Sequence, residues 1–381
     1  MRERLAADFE RFGRAMPRDP AAHVRETYGI DLTARYLGFD LPHPIGKGSG
    51  QLSLNEDQLD TDREAGLAFV VLKTVIAEDE AGARSMGAWA IHETRMKVER
   101  RGSDGRSGWT VTWKGRGWDR PFEDYLGLVR MGGDLTRAGA LVAVPSVKYH
   151  LPRLGEAFRS GEYRYTTGRI MEAWGPGEVP LEKDFSPTLA GDPLADERER
   201  ILRWLREVPG EIRQAAAGAP LRLAIKLMNA RFDDEFQRAM LAAVRDADAL
   251  VCFNRLWDAE AGVAYGGWDL SERNLRVLRS ARAAGARFPP LVGTGNVCSG
   301  RLALDYARAG CESVELHTFF QLPLAEYPAA EGSRTQRALH ALLFHPEDGM
   351  VAGMLELERA GVLHRRGGEL RFLDLCGPET P

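Results

Sequence analysis

Short apolar runs alternate with amphipathic segments from residue 43 to residue 319. The runs HPIGKGSG (43–50), AFVVLKTV (68–75), ALVAVPSVKYH (140–150), YRYTTGRIMEAW (163–174), LRLAIKLM (221–228), ALVCFNRL (249–256), PLVGTGN (290–296) and SVELHTF (313–319) read as strands. Most are too uniformly apolar for a sheet with one wet face, so they are expected to be parallel strands buried on both sides. Between them LADERERILRWLREVPGEIRQAA, DDEFQRAMLAAVRDA, DLSERNLRVLRSARAAG and GRLALDYARAG carry apolar residues at i, i+3 and i+4, the signature of helices with one buried face. Strand–helix alternation with eight strands predicts an α/β fold of the (β/α)8 TIM-barrel type rather than an open sheet.

Three pieces lie outside that repeat. Residues 1–30 read as a helical segment, with Leu5, Phe9, Phe12 and Met16 at helical spacing. Residues 31–42 (DLTARYLGFDLP) read as a β-hairpin at the foot of a barrel spanning 31–323. The connection over 76–133 is far longer than an ordinary strand-to-helix loop, and its HETRMKVERRGSDGRSGWTVTW reads as two strands around a Gly-rich turn. Residues 324–381 are expected to form an extension, a helix (TQRALHALLF) followed by a β-hairpin.

Composition narrows the function classes. The chain has 381 residues, 28% of them charged, with a net charge of −4, so no overall field favours nucleic acid. Its cysteines, Cys252, Cys298, Cys311 and Cys376, form no C-x-x-C pair, so no metal or iron–sulfur centre made by this chain alone is expected. No apolar run approaches the roughly 20 residues that span a bilayer. The charged N-terminus does not read as a signal peptide, and a cytoplasmic protein is expected. The expected partners are a small-molecule substrate and an electron acceptor that the sequence leaves open. Neither nucleic acid nor membrane is expected as a partner; the N-terminal helix is expected to pack on the body or on a second copy in a homodimer, with a membrane-surface helix as the alternative.

In such a barrel the reacting groups sit at the C-terminal ends of the strands. In chain order those ends offer Lys47-Gly48-Ser49-Gly50, Lys73-Thr74, Lys148-Tyr149-His150, Glu172 with Trp174, Lys226 with Asn229, Asn254-Arg255, Gly293-Thr294-Gly295-Asn296 and His317-Thr318. Lysines inside apolar runs are costly unless something answers the charge. Lys73 and Lys226 therefore call for a barrel acid or an electron-rich cofactor. The Gly-Thr-Gly-Asn turn, followed by a helix, offers backbone N–H groups to a phosphate, and Thr318 stands at the neighbouring strand end.

Taken in order, LGFDLPHPIGKGSG, AGLAFVVLKTV, AIKL, CFN, GGWDLSERNLRVLR and LVGTGNVCSGRLALDYARAGCESVELHT resemble the dihydroorotate dehydrogenase family of flavin-dependent barrels over residues 31–323. The resemblance implies FMN as cofactor. Gly48, Ser49 and Gly50 would approach the flavin ring or ribityl chain. Lys73, with Thr74 beside it, would bond the ring and favour its reduced form, Lys226 and Asn254 would reach ring and ribityl groups, and Gly267, Gly295, Asn296 and Thr318 would line the phosphate.

The substrate half departs from the family pattern. Its Asn-x-Ser-Cys-Pro-Asn-like loop after strand four, where Cys or Ser is the base, is matched to MEAWGPGEVPLEKDF, putting Glu172 at the first Asn and Gly175 at the base. Trp113 falls near the loop after strand two, and Arg255 replaces a small hydroxyl residue. The expectation is an FMN-dependent oxidoreductase acting on another substrate in a specialised biosynthetic pathway. Trp113, Glu172, Trp174 and Arg255 would bind that substrate, and Glu172, Lys73 and Tyr149 would be catalytic. Two alternatives stand beside it. One is a dihydroorotate dehydrogenase with a relocated base at Tyr149, His150 or His92. The other is a non-redox barrel holding a different phosphorylated ligand.

Overall fold

The computed structural model describes residues 1–87, 96–103, 106–113, 117–185, 198–230, 232–258 and 263–377. Its centre is a closed ring of parallel strands. The first is Ile45–Lys47, and the fourth to eighth are Val179–Asp184, Leu221–Lys226, Ala249–Cys252, Leu291–Thr294 and Cys311–Leu316. Strand two is split into Phe69–Val71 and Val75–Ile76, and strand three into Val142–Val144 and Ser146–Lys148. The segments pair one to one, Phe69 opposite Val142 and Val75 opposite Val147. Strand eight pairs back onto strand one, Val314 opposite Ile45, which closes the barrel. Pro145 breaks strand three because it has no N–H to donate to a ladder, and Lys73 and Thr74 sit in the break of strand two.

Strand four is not where its sequence pattern puts it. The run 163–174 lies in a helix, Ser160–Trp174, burying Tyr163, Thr166, Thr167, Ile170 and Trp174 along one face. The aromatic and β-branched residues that mimic a strand are that face. The true fourth strand, Val179–Asp184, contains a proline and three ionisable residues, yet all six positions are buried. They tolerate burial because other strands supply partners, Lys226 for Glu182 and Lys148 for Asp184.

The long connection after strand two forms the antiparallel strands Met96–Ser103 and Arg106–Trp113. They continue through Val263–Gly267 and Leu256–Asp258, which follow barrel strand six, into one four-stranded sheet. The hairpin at the foot is Ala34–Tyr36 paired with Phe39–Leu41.

Two helices precede the hairpin, Arg2–Phe12 and Pro20–Tyr28. The C-terminal extension holds two helices, Arg334–Phe344 and Met350–Arg359, where one was expected. Among the described residues its expected β-hairpin reduces to one antiparallel bridge, Arg366 to Glu369. Leu370–Arg371 instead pairs in parallel with Ile30–Asp31, because the extension folds back on the N-terminal segment. Side chains from both terminal segments and the barrel share one apolar core. No described helix is long and apolar enough to cross a membrane.

Candidate active site

The turn after strand seven is shaped by backbone. Gly295 has φ +93° and Asn296 φ +56°, the left-handed region that glycine enters freely and asparagine tolerates. A Cβ on Gly295 would overlap the Asn274 amide and the Phe253 carbonyl. Asn274 Nδ2 donates to Phe253 O and Thr294 O, both at 2.8 Å, and the Tyr306 hydroxyl lies 2.7 Å from Gly295 O. Across the turn stands Gly267, with φ +108°, where a Cβ would overlap Trp109 O. Asn254, Gly267, Gly295, Asn296 and Thr318 line one small cavity. Among the described residues the amides of Gly295, Asn296 and Thr318 donate to no other backbone group. Convergent, unspent N–H groups without hindering side chains are the chemistry of an anion nest.

Strands one and two bring the second group. Gly48 and Gly50 leave no room for a Cβ, which would press on Glu315 and His317 respectively. Ser49 Oγ lies 2.8 Å from Thr74 Oγ1 and accepts the Thr74 amide at 2.9 Å. Lys47 faces away, held by Asp62 and by Thr335 Oγ1 at 3.1 Å. Lys73 is buried, and among the described residues its ammonium makes no hydrogen bond or ion pair. Burial first, then the charge of Arg255, lowers its pKa to about 7, with Asp184 opposing. Arg255 is also buried. Burial, with Arg255 and Lys73, holds His317 well below its ordinary value, so it is neutral.

Lys226 meets an internal anion. Its ammonium is paired with Glu315 and lies 3.5 Å from Glu182 Oε1. Burial opposes its charge, but the two carboxylates outweigh burial and raise its pKa. Glu182 and Glu315 were not singled out in the sequence. The available signal was an acid inside each of two buried runs, PLEK and SVEL.

Several expected site residues lie elsewhere. Glu172 is on the outer helix, its side chain 77% exposed and 3.4 Å from Arg169, because its run is a helix and not strand four. Trp174 is buried against Gly132 of the helix Phe122–Arg137, behind the barrel wall. The Tyr149 hydroxyl is 2.7 Å from Thr167 of the outer helix and the ring stacks on Tyr163, while burial raises its pKa. Its hydroxyl is thus engaged on the helix side of the strand. His150 likewise bonds Arg159 and Glu156. Trp113 ends the second insertion strand, but its side chain lies outside the described residues, as does His92.

Beyond the nest, a cleft of about 810 Å³ is lined by Trp109, Trp268 and Phe319 and shares Asn296 and Thr318 with it. A groove of about 890 Å³ between the helices Arg2–Phe12 and Met350–Arg359 contains none of the strand-end residues.

No family model matches the chain. It is similar to the dihydroorotate dehydrogenase (quinone) of Cellvibrio japonicus, 20% identical over 310 residues, covering 79% of this chain and 83% of that protein. It is similar also to the dihydroorotate dehydrogenase (quinone) of Azotobacter vinelandii, 23% identical over 300 residues, covering 76% and 80%. With the closed barrel and the order of its strand-end residues, these likenesses make the chain similar to the dihydroorotate dehydrogenases at low identity and support reading it as a divergent relative of them.

Proposed function

We propose that this protein is an FMN-dependent oxidoreductase that takes a hydride from a small substrate at a carbon next to a carbonyl or a nitrogen. One observation carries the reading: the ammonium of a buried lysine, Lys73, makes no hydrogen bond or close ion pair among the described residues, with Asp184 and Asp119 acting on it only through longer-range charge, and it stands at a strand end of the same barrel mouth as a backbone anion nest. The donor set suits one phosphate at Gly267, Gly295, Asn296 and Thr318, with the ring end at Gly48, Ser49, Gly50, Lys73 and Asn254. When bound, FMN would supply the hydride acceptor. Lys73 would stabilise negative charge beside it, and Lys226 acts through Glu182 and Glu315 instead of reaching it directly.

The corrected fourth strand changes the reading of the base. The chain leaves that strand through Lys183-Asp184-Phe185-Ser186-Pro187. In the family pattern the base precedes the proline, so Ser186, outside the described residues, takes that role in this proposal. Glu172, on the outer surface, does not face the substrate in this reading. Lys183 and Phe185 still stand where the pattern has an amide and a hydroxyl side chain, with Asp184 at its variable position. That difference supports a substrate other than dihydroorotate, in a dedicated biosynthetic route, because a site built for particular hydrogen bonds rejects a mismatched ligand.

The test begins with the absorption spectrum of the purified protein and the mass of any ligand released by heat. FMN is expected. FAD, or no flavin after saturation with FMN, rejects the cofactor and restores the non-redox barrel. Anaerobic mixing with dihydroorotate is expected to leave the flavin oxidised. Rapid bleaching that Ser186→Ala abolishes makes the protein a dihydroorotate dehydrogenase.

A further inference from the structure

We propose that Glu182 and Glu315 share one proton at neutral pH, and that Ser146, Thr74 and Ser49 conduct it between that pair and the barrel mouth. The argument starts from charge. Two carboxylates and the Lys226 ammonium sum to −1 in a place where all three side chains are at most 5% exposed. An uncompensated buried charge costs several kcal/mol, and one added proton makes the cluster neutral.

The oxygen inventory points the same way. Oε1 of Glu315 is taken by Lys226, and Oε1 of Glu182 accepts from Ser146 Oγ at 3.2 Å. Oε2 of each is buried without a donor, although the two carboxyl groups are close enough to interact directly. Two orphan acceptors on carboxyl groups that interact directly are both satisfied by one proton shared between the groups. The other groups facing the pair do not remove the need. Asp184 adds a further negative charge and is paired with Lys148 at 3.3 Å. Tyr36, from the hairpin, acts on Glu182 as a neutral phenol, its own ionisation pushed far up by burial and by both glutamates. Burial, then the charge of Glu315, raises the Glu182 pKa well above the ordinary range against the pull of Lys226.

The path is a row of hydroxyls. Ser146 Oγ is 3.0 Å from Thr74 Oγ1, which is 2.8 Å from Ser49 Oγ in the Gly48–Gly50 loop. Each can donate and accept at once. For release, the shared proton moves from Oε2 to Oε1 of Glu182 as the Ser146 hydroxyl turns from Oε1 toward Thr74; Glu182 then passes it to Ser146 as Ser146 releases its own to Thr74, Thr74 to Ser49, and Ser49 to an acceptor at the mouth. Each hydroxyl ends with one proton, and the pair ends one charge more negative until a proton returns. A group that accepts a hydride there gains one negative charge, which this proton cancels; the substrate of the proposed reaction supplies the hydride. That use rests on the flavin reading, whereas the shared proton and its path do not.

The experiment therefore reads the proton itself, by infrared difference spectroscopy of the full chain as purified. A protonated-carboxyl stretch that shifts in D₂O is expected in the wild type, persisting above the ordinary glutamate range. Because one carboxylate with Lys226 is already neutral, both Glu182→Gln and Glu315→Gln are expected to abolish it. No such band, or its loss in only one variant, overturns the shared proton. Thr74→Val is expected to slow deuterium exchange of the band by about tenfold, about 1.4 kcal/mol on the barrier. Thr74→Ser, which keeps the hydroxyl, should exchange at the wild-type rate and guards against a folding defect. Equal rates in Thr74→Val and wild type overturn the path. Absence of flavin would reject the proposed function while leaving every one of these readings intact.

Discussion

The two sides of the barrel mouth are built by different means. On the side of strands seven and eight, the nest is made of backbone, shaped by Gly267, Gly295 and Asn296 in conformations that few residues adopt. On the side of strands two to four, the mouth is made of side chains: Lys73, and Thr74, Ser146, Glu182 and Asp184, the last four depending on partners from other strands. A backbone site announces itself in sequence through its glycines. A side-chain site is defined only once strand register is known, because neighbouring positions on a strand face opposite ways.

The largest effect that would break this contrast lies on the side-chain half. Lys226→Met leaves Glu182 and Glu315 buried without their cation and is expected to cost about 3–5 kcal/mol of unfolding free energy in denaturant titration. Changing both glutamates to Gln in the same protein should recover most of the loss. A mild effect of Lys226→Met alone would mean that the cluster is solvated and the contrast false. Next in size, Ser186→Ala should lower turnover with any substrate that reduces the flavin by about 10²–10⁴-fold, with cofactor content unchanged; a wild-type rate would return the base to an unidentified group.

The nest half is tested by Gly295→Ala. At φ +93°, with Asn274 and Phe253 against the added methyl, the strain is expected to cost about 1–3 kcal/mol and to weaken FMN binding in fluorescence titration. Unchanged affinity would show that the phosphate sits elsewhere. Lys73 sharpens the comparison through pH. Its folded pKa of about 7 lies below the ordinary 10.5, so between those values the unfolded chain holds a proton that the folded chain does not. Stability relative to Lys73→Met should rise with pH across that window, by about 1.4 kcal/mol per unit at most, and flatten below it. A pH-independent difference would show Lys73 to be ionised throughout. The smallest effect expected is that of Glu172→Ala, exposed on the outer helix, which should leave melting temperature and turnover unchanged.

Much of the barrel was legible. Seven of the eight strand positions follow from apolar runs between amphipathic helices, and the Gly-Thr-Gly-Asn turn from its composition. Strand four was not, for a physical reason: in VPLEKD the ionisable residues are neutralised by Lys226 and Lys148 from strands five and three, so local polarity says nothing about burial. The error carried the proposed base and Glu172 with it. The direction of Tyr149 was not legible for a related reason, since position at a strand end does not say which side of the wall a ring faces. Its hydroxyl meets Thr167 outside the barrel.

By itself, then, the sequence determined the class of fold, the glycine turns and the presence of buried lysines, because periodicity and backbone permissiveness are local properties. The tertiary structure decided which acids answer those lysines, that Lys73 has none in close ion-pair contact among the described residues, and that hydroxyls from strands one to three line up beside Glu182. Those facts depend on contacts between residues as far apart as Lys226 and Glu315. In a parallel barrel such pairs are set by ring closure and register, which no short stretch of chain encodes.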